Sequence, residues 1–375
     1  GGIGAGLATA DTKVLYEAYL QDINAHGGVL GRRLVGVYRK LSPTASLASI
    51  AQDVCTYYSQ DHKVSFVFSP PLLDMYGCLS KAGIAALSST PQNVSKQLLR
   101  RWPLALLPES LAMDHYSDIE AKEFTAMGFF HHGLTDKLGV IYFENDAASV
   151  DGFGELQKAL PRYGTKIDYT EALTFADGTS GLAAMEASVQ AAELKFSAEG
   201  VTEVICVEVN AFACGFFGVY ASSQGYYPRY AFSGAQVLSN IVANVPAKEL
   251  ADSVFLGWFP AQDLQHEAEM PAPLRACFGF FRKRGVTVST GNQRSQTEQA
   301  CADVNFFLAA IRAAPAVSAA GLIKGAELIG LTYTSIGTFG VKISANQRDG
   351  VSRIRRGAFV TSCDCFRYTS NPAAV

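Results

Sequence analysis

The stretch Tyr16-Glu-Ala-Tyr-Leu-Gln-Asp-Ile-Asn-Ala-His-Gly-Gly-Val-Leu-Gly-Arg-Arg-Leu34 decides how this chain is read. Val14, Leu15, Ala18, Tyr19, Leu20 and Ile23 recur at helical spacing and form a broad apolar face. Gly27 and Gly28 then supply the positive φ with which a helix ends at no steric cost. Gly31 opens a second turn, after which residues 33–38 read as an extended strand. Helix, glycine stop, turn and strand mark an α/β scaffold. Nothing in the pattern binds a ligand by itself.

Working outward, 375 residues are too many for one ordinary core and fit two domains. Hydrophobic residues at 49% against 17% charged ones exclude a largely disordered chain. The net charge is −3, so the basic runs at 282–284 and 353–356 read as solvated faces and not as a nucleic-acid surface. No apolar run approaches the ~20 residues that span a bilayer. No secretory leader opens the chain, and the expectation is that any such signal has been removed. The opening Gly1-Gly-Ile-Gly-Ala-Gly6 looks like the loop that follows a strand.

The eight cysteines fall into the pairs Cys55/Cys78, Cys206/Cys214, Cys277/Cys301 and Cys363/Cys365. Cys-x-x-Cys spacing is absent, which argues against zinc. Disulfides fit better and imply an oxidising, exported location. Eight buried thiols are the plain alternative.

Beyond the opening motif, helix and strand alternate. Helices are expected near 45–60, 72–82, 114–127, 150–160, 180–196, 212–224, 263–284 and 293–313. Strands are expected at 64–68, 84–87, 138–143, 166–169, 203–209, 229–233 and 253–258. Such alternation argues for βαβ units and parallel sheets. Spacing alone yields two consecutive domains.

Catalytic patterns are weak. Gly2-Ile-Gly4-Ala-Gly6 fails the dinucleotide spacing, and no phosphate-binding loop occurs. His26-Gly27-Gly28 lacks a companion nucleophile elbow. His131-His132 reads as an exposed pair at a helix end, because adjacent side chains diverge. Asn93-Val-Ser95 is a formal glycosylation sequon. Glu267-Ala-Glu269 beside His266 reads as a solvated helix start.

In open parallel sheets ligands bind beyond the carboxyl ends of strands. That rule selects Ser69, Pro70, Ser88, Ser89, Thr90, Gln92, Glu144, Asn145, Asn210, Phe212, Gly234 and Gln236 as candidate ligand contacts. Ordinary loop capping before helix N-termini is the alternative for each.

The pattern Ile23-Asn-Ala-x-Gly-Gly-x-x-Gly-Arg32, with 138–160 and Gly225-Tyr-Tyr-Pro228, resembles type I periplasmic binding proteins. The branch it is most similar to binds leucine, isoleucine and valine for ABC importers. The resemblance implies two doubly wound α/β lobes with parallel sheets, joined by a multi-strand hinge and closing on a ligand between them. It implies lobe 1 at 1–120 plus 257–330 and lobe 2 at 121–256 plus 331–375. It also implies a monomer outside the cytoplasm, anchored through a removed N-terminal segment, whose partners are a small-molecule ligand and a membrane permease, with no cofactor and no nucleic acid.

Amino-acid-binding members hold the ligand carboxylate through hydroxyl and main-chain N–H donors. Ser69 and the Ser88-Ser-Thr90 loop match those positions. Those members hold the ammonium through an acid after the strand that here ends at Ser233. This chain has Gly234-Ala-Gln236 there, without a carboxylate. The expected function is therefore binding of a small polar solute, an amino acid or a related carboxylate. The same module in a signalling receptor is the alternative, and a small-molecule enzyme is a more distant one.

Overall fold

The computed structural model describes residues 12–41, 46–70, 73–89, 91, 93–130, 135–174, 178–209, 211–236, 238–260, 270–288 and 291–375. In chain order the elements begin with α1 (Thr12–Ala25), α2 (Leu47–Thr56), β1 (Phe66–Phe68), α3 (Leu73–Lys81), β2 (Ala85–Leu87), α4 (Lys96–Arg101) and β3 (Ala105–Leu106). Next come α5 (Met113–Ala126), β4 (Leu138–Phe143), α6 (Ala147–Ala159), β5 (Tyr169–Leu173), α7 (Gly178–Glu199), β6 (Glu203–Val207), α8 (Phe212–Gln224) and β7 (Arg229–Ser233). The chain closes with α9 (Leu238–Asn244), α10 (Ala247–Leu250), β8 (Val254–Gly257), α11 (Ala272–Arg282), α12 (Gly291–Ala313), α13 (Ala319–Ile329), β9 (Arg353–Val360), β10 (Cys365–Tyr368) and β11 (Ala373–Ala374).

Two compact units result. Unit 1 comprises 1–92, 99–110 and 259–353; unit 2 comprises 93–98, 111–258 and 354–375. Unit 1 is built on a parallel sheet ordered β1-β2-β3. Its core joins α1 to α12 through buried Leu15, Ile23, Phe278, Phe281, Phe306 and Ile311. Unit 2 carries the larger sheet, ordered β10-β9-β8-β7-β6-β4-β5 with β11 on β9. Strands β4 to β8 pair in parallel, whereas β9 and β10 pair antiparallel. The continuous apolar run of β6 is buried along its whole length, as a central parallel strand requires.

The opening motif folds by local hydrogen bonding. Helix α1 ends at Gly27 and Gly28, with φ of 93° and 75°. Val29 and Arg32 then close a tight bridge. A Cβ on Gly28 would run into the Arg32 carbonyl, so this turn demands glycine twice over. The expected strand at 33–38 has no ladder partner among the described residues. Its backbone is held by the Asn24 carboxamide, which donates to the Leu34 carbonyl and accepts from the Leu34 N–H, both at 2.8 Å. One side chain thus does locally what a neighbouring strand would do.

The expected domain limits shift. Residues 331–353 lie in unit 1, because Val341 and Ile343 enter its core and the Arg348 carbonyl accepts from Leu107. Residues 111–120 lie in unit 2, where α5 packs along α6. The expected strand at 166–169 begins at Tyr169, since Asp168 is used to cap the start of β4 through Leu138. Helix α11 is shorter than the expected 263–284; it starts after Pro271, and 261–269 lie outside the described residues, with the His266 and Glu267–Glu269 readings. Gly1–Gly6 and His131-His132 also lie outside them.

All four cysteine pairs are joined as disulfides. Cys55–Cys78 ties α2 to α3, and Cys277–Cys301 ties α11 to α12. Among the described residues, no helix is long and apolar enough to cross a membrane.

Candidate functional site

The carboxyl edge of each sheet is the place to look, and each unit is best taken alone. In unit 1, β1 runs into Ser69 and buried Pro70, and β2 runs into fully buried Ser88 and Ser89. Thr90 and Gln92 lie outside the described residues. The two serine donors expected to meet a ligand carboxylate meet one belonging to the protein. Asp303 of α12 accepts the Ser69 hydroxyl and the Tyr16 hydroxyl on Oδ2 and the Ser89 N–H on Oδ1, each at 2.6 Å. Asp303 is fully buried. Burial pushes its carboxyl up to about 6, against the pull of those three donors on the charged form. Ser88 donates its N–H to the Leu106 carbonyl and so belongs to the ladder of the sheet.

Three residues past β3, Glu109 stands on the same edge. It is fully buried, and neither carboxylate oxygen has a hydrogen-bond partner. Burial pushes it up to about 8; the Asp303 charge adds to the rise, while nearby Ser335, the Gly337 N–H and Tyr333 favour its charged form. Its Oε2 occupies the space where a Cβ on Gly337 would stand. Glu298, also on α12, is buried, and burial followed by the charge of Glu109 holds it well above the usual carboxylate range.

In unit 2, β4 runs into exposed Glu144 and Asn145, and Glu144 accepts the Thr174 hydroxyl. Asp146 follows as the cap of α6, accepting the Ala148 and Ser149 N–H groups and the Asn93 amide. The sequon asparagine is therefore half-buried and engaged. Strand β6 runs into buried Glu208, whose two oxygens accept the Ala213 and Cys214 N–H groups at 2.8 and 2.9 Å. That carboxylate caps α8, whose own N-cap residue, Ala211, has no side chain able to do so. Burial nevertheless pushes Glu208 up to about 7.

Asn210 lies outside the described residues, and Phe212 is half-buried at the first position of α8. Gln236 folds back on its own strand end, accepting the Ser233 N–H and donating to the Cys206 carbonyl. Gly234 makes room for the buried Trp258 ring, which a Cβ there would approach to 2.8 Å.

Cys206, Glu208 and Cys214 are the one grouping among the described residues tight enough to suggest a metal. Its two sulfurs are bonded to each other and its carboxylate caps a helix, so the donor set does not fit an ion.

Strand-end logic puts Ser69 and Ser89 at the sheet edge, where the structure has them, and gives no sign of Asp303, Glu109, Glu298 and Glu208. Two of these leave a trace in the sequence. Glu208 interrupts an apolar run, Val204-Ile-Cys-Val-Glu-Val209, and Asp303 sits at helical spacing with Ala300, Phe307 and Ala310 on an apolar stripe.

No protein-family model and no curated protein matches the sequence. Solved structures do match. An ABC transporter substrate-binding protein of Desulfitobacterium hafniense in complex with Leu superposes with a TM-score of 0.66 at 15% identity, covering 97% of this chain and 96% of that one. A branched-chain amino acid ABC transporter protein of Thermus thermophilus with bound valine gives 0.71 at 13% identity, over 97% and 91%. A fatty acid ABC transporter substrate-binding protein of Thermomonospora curvata gives 0.68 at 15% identity, over 100% and 90%. The chain therefore has the type I periplasmic binding fold, and the proteins it resembles in structure are solute-binding proteins.

Proposed function

We propose that the protein is a solute receptor working outside the cytoplasm, which binds a small polar ligand through the strand-end loops of its units and presents it to an ABC permease. The observation that carries this reading is a match over nearly the full length of both chains to solute-binding proteins. Four disulfides suit an oxidising compartment. Exposed Glu144 and Asn145, which follow β4, and the half-buried Phe212 ring offer unit 2 contacts for such a ligand.

A second reading, in which the same module reports its ligand to a signalling partner, shares this binding core. The serine donors matching the carboxylate-holding positions of amino-acid importers are here consumed by Asp303. A thermal-shift screen of the purified protein against amino acids, amines, organic acids and sugars tests the shared core of both readings. One compound class should raise the unfolding midpoint in a concentration-dependent way. A flat response across all four classes would reject solute binding.

A further inference from the structure

Unit 1 buries three carboxyl groups that act on one another in sequence, Asp303 at the strand ends, Glu109 just past β3 and Glu298 on α12, and Asp303 is the one with well-formed hydrogen bonds. Both oxygens of Glu109 and the Oε1 of Glu298 are without partners. Ser89, whose N–H is fixed on Asp303, is fully buried, with its hydroxyl beside the same carboxylate. Among the described residues, no lysine or arginine stands among the main influences on the three carboxyls. We propose that this edge receives a cationic group of the solute, an ammonium or amidinium, with Glu109 as its main partner and Ser89 Oγ as a further acceptor. The proposal rests on the solute-binding reading above and deepens it by naming the ligand class.

A buried carboxylate without a charged partner is unfavourable, so it either takes up a proton or pairs with a cation. Burial by itself favours the protonated form of Glu109. A bound ammonium replaces that proton and supplies the positive charge that the surrounding neutral donors, Ser335, the Gly337 N–H and Tyr333, do not. A ligand carboxylate meets the opposite situation. The donors at Ser69 and Ser89 that would hold it already hold Asp303, and its charge would face three acids. A chelated metal fits poorly, because among the described residues these oxygens are not gathered within the 4.8 Å of one another that marks a metal-type cluster. An organic cation with spread N–H donors spans them better.

The test uses the whole purified protein and three kinds of probe: amines without a carboxylate (1,4-diaminobutane, ethanolamine, agmatine), carboxylates without an amine (propionate, succinate), and neutral sugars. The amines should raise the midpoint and bind by calorimetry with proton release, more tightly as pH rises from about 6 to about 8. Glu109→Gln keeps the shape and should weaken amine binding about tenfold or more, with Glu298→Gln giving a smaller loss. If carboxylates or sugars bind and amines do not, the cation proposal fails while the solute-binding reading stands. If no probe of any kind binds, both fail. Amine binding unchanged in both variants would place the cation elsewhere and overturn the assignment.

Discussion

At the scale of the residue, two positions show how much a single side chain fixes. Gly27 and Gly28 both have positive φ, but only Gly28 also presses on the Arg32 carbonyl; Gly27 has open space around it. Gly27→Ala should cost about 1 kcal/mol in conformational strain. Gly28→Ala should cost well beyond that, because the bridge between Val29 and Arg32 must open, and urea unfolding of the two variants side by side checks the order. Asp303 is the counterpart in the site. Asp303→Ala removes the acceptor of Tyr16, Ser69 and Ser89 at once. Leaving two buried donors and the half-buried Ser69 hydroxyl unsatisfied is expected to lower stability by about 3 kcal/mol, measurable by the same titration. The strand-end rule found the serines because it follows from sheet geometry. It could not find Asp303, which lies 214 residues from Ser89 and reaches it only through the packing of α12.

At the scale of the element, helices and strands with a clear period emerge from the sequence with little displacement. Strands β4 and β7 and helix α8 have the expected limits. The last hundred residues carry α13, β9 and β10, for which no expectation existed, because antiparallel strands added to a parallel sheet follow no βαβ rhythm. The disulfides belong to this scale too. Cys55–Cys78 and Cys277–Cys301 close loops of 23 and 24 residues between helices, whereas Cys363–Cys365 spans a separation of 2. In the chain-entropy account, replacing both cysteines of a long-loop pair by serine should cost about 3 kcal/mol. The same change at 363 and 365 should cost far less, and thermal melts of the three double variants would show a midpoint loss for the first two with the third near the parent. Equal losses in all three would contradict that account.

At the scale of the whole molecule, buried acids set the response to pH. Burial holds Glu109 and Glu120 up to about 8, Glu208 and Glu249 up to about 7, and Asp303 up to about 6. Their unfolded values lie near 4. Between about pH 4 and about pH 8 the native state therefore holds more protons than the unfolded one, and stability falls as pH rises. Thermal unfolding of the ligand-free protein should give a midpoint several degrees higher at about pH 5 than at about pH 8. A midpoint that climbs over this window would mean that these carboxyls are paired with cations.

The sequence by itself determined the scaffold and the alternation of helix and strand, and it suggested the cysteine pairs that the structure joins. Each of these rests on short-range periodicity, on turn chemistry at Gly27 and Gly28, or on residues near in sequence. Only the tertiary structure decided the chemistry of the sheet edge in unit 1. Serines that look like free donors are spent on Asp303, and Glu109, a loop residue of no evident pattern, is left buried without a partner. The physical reason is that desolvation and hydrogen bonding act between groups hundreds of residues apart, and no local spacing records which of them will meet.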